Sequence, residues 1–343
     1  MDSNTNRLLS DDERKALRNR LMKSANNFDK QKRRKKTYLI LAAAASLALL
    51  FGIFQISYQQ NEQSLQNFVS EAPAVDINSS DKVTIVLGAG ENILIDESST
   101  VEYSSNGTNV KMGKDKNYEQ NTLIDKKPIF NTILVPYGKR TDVVLSDGTH
   151  VWINSGSRLV YPAIFKGNNR EVYLEGEAIF DVAHNAEKPF KVLSKSQEIE
   201  VLGTIFNVSA YPEDEQMNTV LKSGSIQLTY NGNRKNSFKI TPGTLSSYNN
   251  KTSEIKKSKV NVNDYFGWRD GYLSLKQQPL DYIVARLSRY YNVEIAIFDE
   301  NLSRDTFSGK LDLKEDIHKV IETIRMTTQM KVVINEDNII LTN

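Results

Sequence analysis

The sequence predicts a mainly β domain, an antiparallel sandwich or β-roll, followed by a small α+β domain, both carried on a single transmembrane helix. Three observations lead there. Residues 37–58 are apolar and uncharged for long enough to cross a bilayer; from Lys82 short strand-like runs alternate with turn residues; and past Asp270 strand-like runs alternate with stretches of helical period.

The span reads TYLILAAAASLALLFGIFQISY, from Thr37 to Tyr58. At a helical rise of ~1.5 Å it covers roughly 33 Å, against a hydrocarbon core of ~30 Å. Tyr38 and Tyr58 stand at its ends, where interfacial aromatics belong. Lys30, Lys32, Arg33, Arg34, Lys35 and Lys36 precede it, whereas the first basic residue after it is Lys82, so the N-terminus is expected in the cytoplasm and the rest across the membrane. A cleaved signal peptide would have a shorter apolar run ending in small residues, and FQISYQQ offers no such site. A buried core helix would not be expected to follow such a basic run.

The 343 residues carry 44 Lys and Arg against 42 Asp and Glu, a net charge of +2 that conceals a division. Residues 1–36 hold 12 basic and 5 acidic side chains, or +7, which leaves 32 against 37, or −5, for the remainder. A mildly acidic outer part argues against nucleic acid as its partner, while the basic run sets topology and meets anionic membrane lipid. The absence of cysteine excludes disulfides, thiolate metal sites and Cys nucleophiles.

In the tail, residues 1–36, Ser10-Asp11-Asp12-Glu13 matches a capping box, so a helix should begin there. Leu17, Leu21, Ala25 and Phe28 follow at spacings of four, four and three, along one side. The stripe is either one face of a juxtamembrane helix without a partner or a docking face for another helical protein.

Residues 59–81, rich in Gln, Asn and Ser, read as a linker. In the next segment, 82–130, KVTIVL-GAG-ENILI is a β-hairpin pattern, and DVVL-SDG-THVWI repeats it with Asp147-Gly148 at the turn. The two align without a gap at an offset of 58: Val86 on Val144, Leu87 on Leu145, Gly90 on Gly148, Ile95 on Ile153, Ser99 on Ser157 and Tyr103 on Tyr161. A repeated β-unit and the convergence of two ordinary hairpins both explain this. Within 131–262 further strands are expected at 170–174, 177–182, 190–193, 198–202, 205–210, 217–221, 225–230 and 238–240, parted by Gly176, Pro189, Pro212, Gly224 and Gly232. Residues 270–343 read as β-α-β and then β-α-β-β. Pro279 is expected in the first turn of a helix with Leu280, Ile283, Val284 and Leu287 on one face, and Ile317, Val320, Ile321 and Ile324 mark the second helix.

Chemistry is sparse. His150, His184 and His318 stand apart in sequence, with no metal or nucleophile motif around them. Glu213-Asp214-Glu215 reads as a solvated turn, and Trp152 and Trp268 as core or domain-junction aromatics or a sugar platform. No cofactor is called for, and an interaction protein is expected rather than an enzyme.

The blocks VPYGKRTDVVLSDGTHVWINSGSRLVYP, YLEGEAIFDVAHNAEKPFKV and VLGTIFNVSAY resemble the FecR family of bacterial anti-sigma factors, over roughly Val135–Leu228. From GYLSLKQQPLDYIVARLSRYYNVEI onward the chain resembles the domain that follows in Bacteroidota-type members, and is similar to secretin/TonB short N-terminal modules. The resemblance implies a single-pass inner-membrane protein with a periplasmic C-terminal region. Its tail would hold an extracytoplasmic-function sigma factor through Leu17, Leu21, Ala25 and Phe28. In the periplasm it would listen to the signalling domain of a TonB-dependent outer-membrane transporter, with Tyr272, Tyr290 and Tyr291 as candidate contact aromatics. The tail is shorter than in many members and has no Trp.

Some members break their own chain at a Gly-Thr bond within the block seen here as VLGTIFNV, the Thr hydroxyl attacking the preceding carbonyl; Gly203 and Thr204 match that pair. The competing reading makes Gly203 a strand bulge and Thr204 a packed strand residue. Two rivals come from other classes. A tethered glycan-binding or envelope structural protein requires an exposed aromatic platform, and an envelope hydrolase requires a carboxylate pair in a cleft.

Overall fold

The computed structural model describes residues 11–24, isolated positions between 30 and 52, residues 65–71, position 77, and residues 80–343 apart from 89, 97–98, 114–115, 125–126, 231–235, 329 and 336–337. The chain divides into two compact units, residues 1–62 and 63–343. In the first, residues 11–24 form helix α1, with Leu17 49% and Leu21 63% exposed. Ser10, Ala25 and Phe28 lie outside the described residues, as does most of the expected span, 37–58. Among the described residues no helix is long and apolar enough to cross a membrane.

The second unit opens with helix α2 (Leu65–Glu71), inside the stretch read as a linker. Leu65, Phe68 and Val69 fall three and four apart, and this face packs on Phe130, Val160 and Leu193 of the β-domain. The polar neighbours Gln63, Gln66 and Asn67 mask that spacing in a composition reading.

Strands follow in close succession: β1 (Val83–Leu87), β2 (Glu91–Ile95), β3 (Val101–Tyr103), β4 (Asn109–Met112), β5 (Lys116–Glu119), and a small hairpin of β6 (Leu123–Ile124) with β7 (Lys127–Pro128). Then come β8 (Phe130–Val135), β9 (Thr141–Val144), β10 (His150–Ile153), β11 (Ser157–Pro162), β12 (Arg170–Asp181), β13 (Phe190–Leu193) and β14 (Gln197–Val201). The series closes with β15 (Ile205–Ala210), β16 (Gln216–Ser223), β17 (Ile226–Tyr230), β18 (Asn236–Ile240), β19 (Thr244–Asn249) and β20 (Ile255–Lys259).

They build two long ladders. One runs β2-β1-β8-β11-β12-β13-β14-β17-β18. The other runs β5-β4-β3-β9-β10-β12-β15-β16-β19-β20. Pairing is antiparallel except at β12–β13 and β3–β9, which are parallel. Each ladder therefore advances from N-terminal strands at one end to C-terminal strands at the other. Alternate side chains of both enter one core, Ile85, Ile133, Leu159, Val172 and Leu228 from the first and Val143, Val151, Phe180, Phe206 and Val208 from the second. The mainly β reading is realised as one curled sheet whose two ladders face a common core.

Strand β12 belongs to both ladders, and here the sequence reading needs correction. Gly176 does not separate two strands; it lies within one, at φ +101°, where a Cβ would come 2.3 Å from Ser157 Oγ. Only glycine allows the bend and the close approach together. The offset of 58 also has a structural counterpart. Ile85 faces Ile93 across the first hairpin as Val143 faces Val151 across the second, and Tyr103 and Tyr161 share a hydrogen bond of 2.8 Å in the core. Strand β20 went unforeseen because Lys256, Lys257 and Lys259 hide its alternation; such lysines guard a sheet edge from further pairing.

A connector, helix α3 (Asn263–Phe266) and a 3₁₀ turn (Gly267–Asp270), leads into the α+β region. That region contains β21 (Tyr272–Pro279), α4 (Leu280–Tyr291), β22 (Glu294–Ile297), α5 (Glu300–Arg304), β23 (Thr306–Asp312), α6 (Ile317–Arg325), β24 (Lys331–Asn335) and β25 (Asn338–Thr342). Strands β21 and β23 pair, and β22-β25-β24 form a three-stranded sheet. The two foreseen helix faces supply its core, with Leu280, Ile283, Leu287, Val320, Ile321 and Ile324 buried. Pro279 is the extended residue before α4 rather than part of its first turn. Helix α5 was missed; its cap is Asp299, which accepts from the backbone N–H groups of Asn301 and Leu302.

Candidate functional site

The α+β region sits on the outward side of the second ladder. Residues alternate there between core and outer face, so Ala178 and Phe180 point inward while Glu177 and Ile179 point out. Ile179 and Val220 take the apolar connector residues Phe266 and Trp268. Beside this contact lies a buried carboxylate. Glu177 is 1% exposed and accepts from Asn154 Nδ2 at 2.8 Å and Asn207 Nδ2 at 3.2 Å.

Its countercharge comes from α4. Arg286 Nη2 lies 3.3 and 3.1 Å from the two Glu177 oxygens, and Nη1 donates to Tyr282 OH at 3.0 Å. Burial is the largest single influence and opposes the charge on Arg286, but Glu177, Tyr282 and Tyr211 together outweigh it and hold the guanidinium above its ordinary pKa. One turn on, Arg289 stacks over Tyr211 at 3.9 Å, donates to Asp214 Oδ2 at 3.1 Å and meets Glu213 Oε1 at 3.2 Å. Tyr211 in turn donates to the Ser155 carbonyl at 2.8 Å, and the Gly138 N–H donates to the Arg289 carbonyl at 2.8 Å. Glu213 and Asp214 thus clamp Arg289, where the sequence suggested a solvated loop, while Glu215 is exposed and pairs with Lys251. A groove of about 500 Å³ opens beside the clamp, lined by Tyr265, Tyr282, Asn218, Gln278, Glu215 and Asp281.

Sequence reasoning missed Glu177, Arg286 and Arg289. The available signal was the pair of arginines three apart, flanking the apolar stripe of α4, which is where an amphipathic helix meets a second surface.

The expected site residues fall in three places. Leu17 and Leu21 are exposed on α1. Tyr272 lies under Lys310 at 3.7 Å; Tyr290 carries Arg140 over its ring at 3.9 Å; Tyr291 donates to the Glu315 carbonyl at 2.9 Å. All three tyrosines are half-buried. Gly203 and Thr204 join β14 to β15, remote in sequence from both groups; Thr204 is 4% exposed and its Oγ1 donates to the Ser225 carbonyl at 3.1 Å. The pairing of β15 with β16 shifts register between Ile205 and Phe206, so an irregularity follows immediately after the pair. Trp268 is buried, and Trp152 is half-buried, packed at a tilt against His150 with Arg269 above it, so these two do not make an exposed platform.

Comparison with known proteins bears on this arrangement. Residues 131–227 match the FecR protein family and residues 272–341 match the FecR C-terminal family. A crystal structure of a candidate anti-sigma factor from Parabacteroides distasonis ATCC 8503 is 30% identical, with a TM-score of 0.58, covering 63% of this chain and 99% of that one. The chain belongs to the FecR family of anti-sigma factors. A second such structure from the same organism is 31% identical, with a TM-score of 0.57, covering 61% of this chain and 97% of that one. No curated protein matches the sequence. The FecR match spans β8 to the start of β17, and the FecR C-terminal match spans β21 to β25, so the Glu177–Arg286 pair joins the two family modules.

Proposed function

We propose that this FecR-type chain is a single-pass inner-membrane regulator. Its cytoplasmic tail binds an extracytoplasmic-function sigma factor, and its periplasmic part receives a signal from a TonB-dependent outer-membrane transporter. The observation that carries the reading, beside family membership, is α1. Leu17 and Leu21 stand one turn apart and largely exposed on a helix with no core of its own, which suits a face completed by a partner. The uncharged run 37–58 and the basic residues before it support the topology. The ionic seam between the modules supports the receiving role, because a partner drawing on Tyr272 or Tyr291 would act on the same small domain that α4 holds against the sandwich.

The test is co-purification of the full chain, in detergent, from its native host. A small sigma factor should come down with the wild type and be lost, at least tenfold, with Leu17→Asp/Leu21→Asp. Retention by the double variant would disprove binding through this face. The reading extends to self-cleavage at Gly203–Thr204, supported by the matching residue pair inside the FecR block.

A further inference from the structure

Two separate segments converge on Gly203–Thr204. The loop after β12 crosses it and is fastened on both sides: the Val182 N–H donates to the Thr204 carbonyl at 3.1 Å, and the Asn185 N–H donates to the Leu202 carbonyl at 2.7 Å. Between these two bonds the loop presents His184. A Cβ on Gly203 would stand 2.6 Å from His184 Nδ1 and 2.8 Å from its Cα, so the imidazole rests directly on the glycine. The turn between β16 and β17 approaches as well. Gly224, at φ +90°, has space where a Cβ would meet Thr204 Oγ1 at 2.7 Å and the Gly203 carbonyl oxygen at 2.9 Å. The hydroxyl and the carbonyl of the bond in question thus share one small space, kept clear by a residue without a side chain. The next residue, Ser225, holds the hydroxyl through its own carbonyl at 3.1 Å.

We propose that His184, Gly224 and Ser225 complete a self-cleavage site around Gly203–Thr204, with His184 as the proton carrier; this rests on the self-cleavage reading given above. Thr204 Oγ1 adds to the Gly203 carbonyl carbon as His184 takes the hydroxyl proton. The tetrahedral adduct collapses by breaking the bond from Gly203 carbon to Thr204 nitrogen, and His184 returns the proton to that nitrogen as it leaves. The product is an ester between Gly203 and Thr204 Oγ1 with a free Thr204 amine. Water then hydrolyses the ester, giving a Gly203 carboxylate and restoring the Thr204 hydroxyl. Gly203 is half-exposed, so water has access to the ester. Gly224 serves as a positioning residue, since any side chain there would push the hydroxyl away from the carbonyl.

The experiment uses the full chain, tagged at both ends and purified in detergent, with fragments 1–203 and 204–343 followed in time by immunoblot, with and without hydroxylamine to cut any ester. Wild type should cleave, and Thr204→Ala should not. Given that, His184→Ala should slow cleavage at least tenfold, in line with general acid–base contributions of ~10²–10⁴, and added imidazole should recover part of the rate, which a merely structural role would not allow. Gly224→Ala should slow cleavage by a similar factor with no imidazole response. A wild-type chain that stays intact removes the self-cleavage reading and this inference with it. Cleaving wild type with His184→Ala at an unchanged rate, or slowed without imidazole recovery, leaves self-cleavage standing and overturns the role of His184.

Discussion

Two helices are fastened to opposite outer faces of the same sandwich by opposite chemistry. Helix α2 lies on the first ladder through Leu65, Phe68 and Val69 against Phe130, Val160 and Leu193. Helix α4 lies on the second through Arg286 on Glu177 and Arg289 on Asp214 and Glu213, with an apolar joint of Phe266 and Trp268 beside it. An apolar contact is non-directional and tolerates small shifts; a buried, multiply hydrogen-bonded pair holds one geometry and is lost abruptly when one partner goes. The FecR C-terminal module is therefore the attachment suited to two discrete states, and α2 the one suited to a permanent anchor.

The largest effect should come from Arg286→Ala, which leaves the Glu177 carboxylate buried without its cation. We expect a loss of ~3–5 kcal/mol, seen as faster hydrogen exchange in β21 and α4 while the sandwich strands stay protected. The pair Glu177→Gln/Arg286→Met should recover most of it. If Arg286→Ala leaves exchange unchanged, the seam is held by its apolar joint and the contrast with α2 disappears. Leu65→Ala should cost ~2–5 kcal/mol of local stability, confined to exchange in α2, with no change at α4.

Alkaline pH sharpens the difference further. Burial, followed by Tyr282, raises Tyr265 beside the α4 seam from 10.0 to about 12. A raised folded-state pKa stabilises the neutral form, so the contribution is whole below pH ~10 and is lost as pH climbs through ~12. Exchange at the seam should accelerate across that window, and Tyr265→Phe should remove up to ~2 kcal/mol of the dependence. The smallest effect is expected from Tyr211→Phe, which removes the hydroxyl bond to Ser155 but keeps the ring beneath Arg289. It should cost ~0.5–1.5 kcal/mol in thermal unfolding.

Much of the fold was legible wherever period and turn chemistry agree. The hairpin about Asp147-Gly148 and the faces of α4 and α6 follow from spacing alone. The failures have particular causes. Gly176 resembles a break because a bend within a strand and a gap between strands carry the same residue. Helix α2 is a single apolar edge in a polar stretch, legible only with the surface it covers. The Glu177–Arg286 pair spans 109 positions, and no local pattern encodes a partner at that distance. Gly203-Thr204 was visible as a motif, yet the convergence of His184 and Gly224 on it exists only once β12, β15 and β16 are side by side.

The order of strands along the two ladders makes the sandwich quasi-one-dimensional, each hairpin touching mainly the pairs that precede and follow it in the chain. Such a body can be assembled in the direction of synthesis, the first strands packing before the last have arrived. It also defines how the domain bears load. Tension applied across the ladders meets neighbouring strands one pair at a time, so the sandwich unzips in steps from its ends rather than failing as a block, and the β14–β15 junction that carries Gly203–Thr204 lies only two or three pairs from the C-terminal end of each ladder.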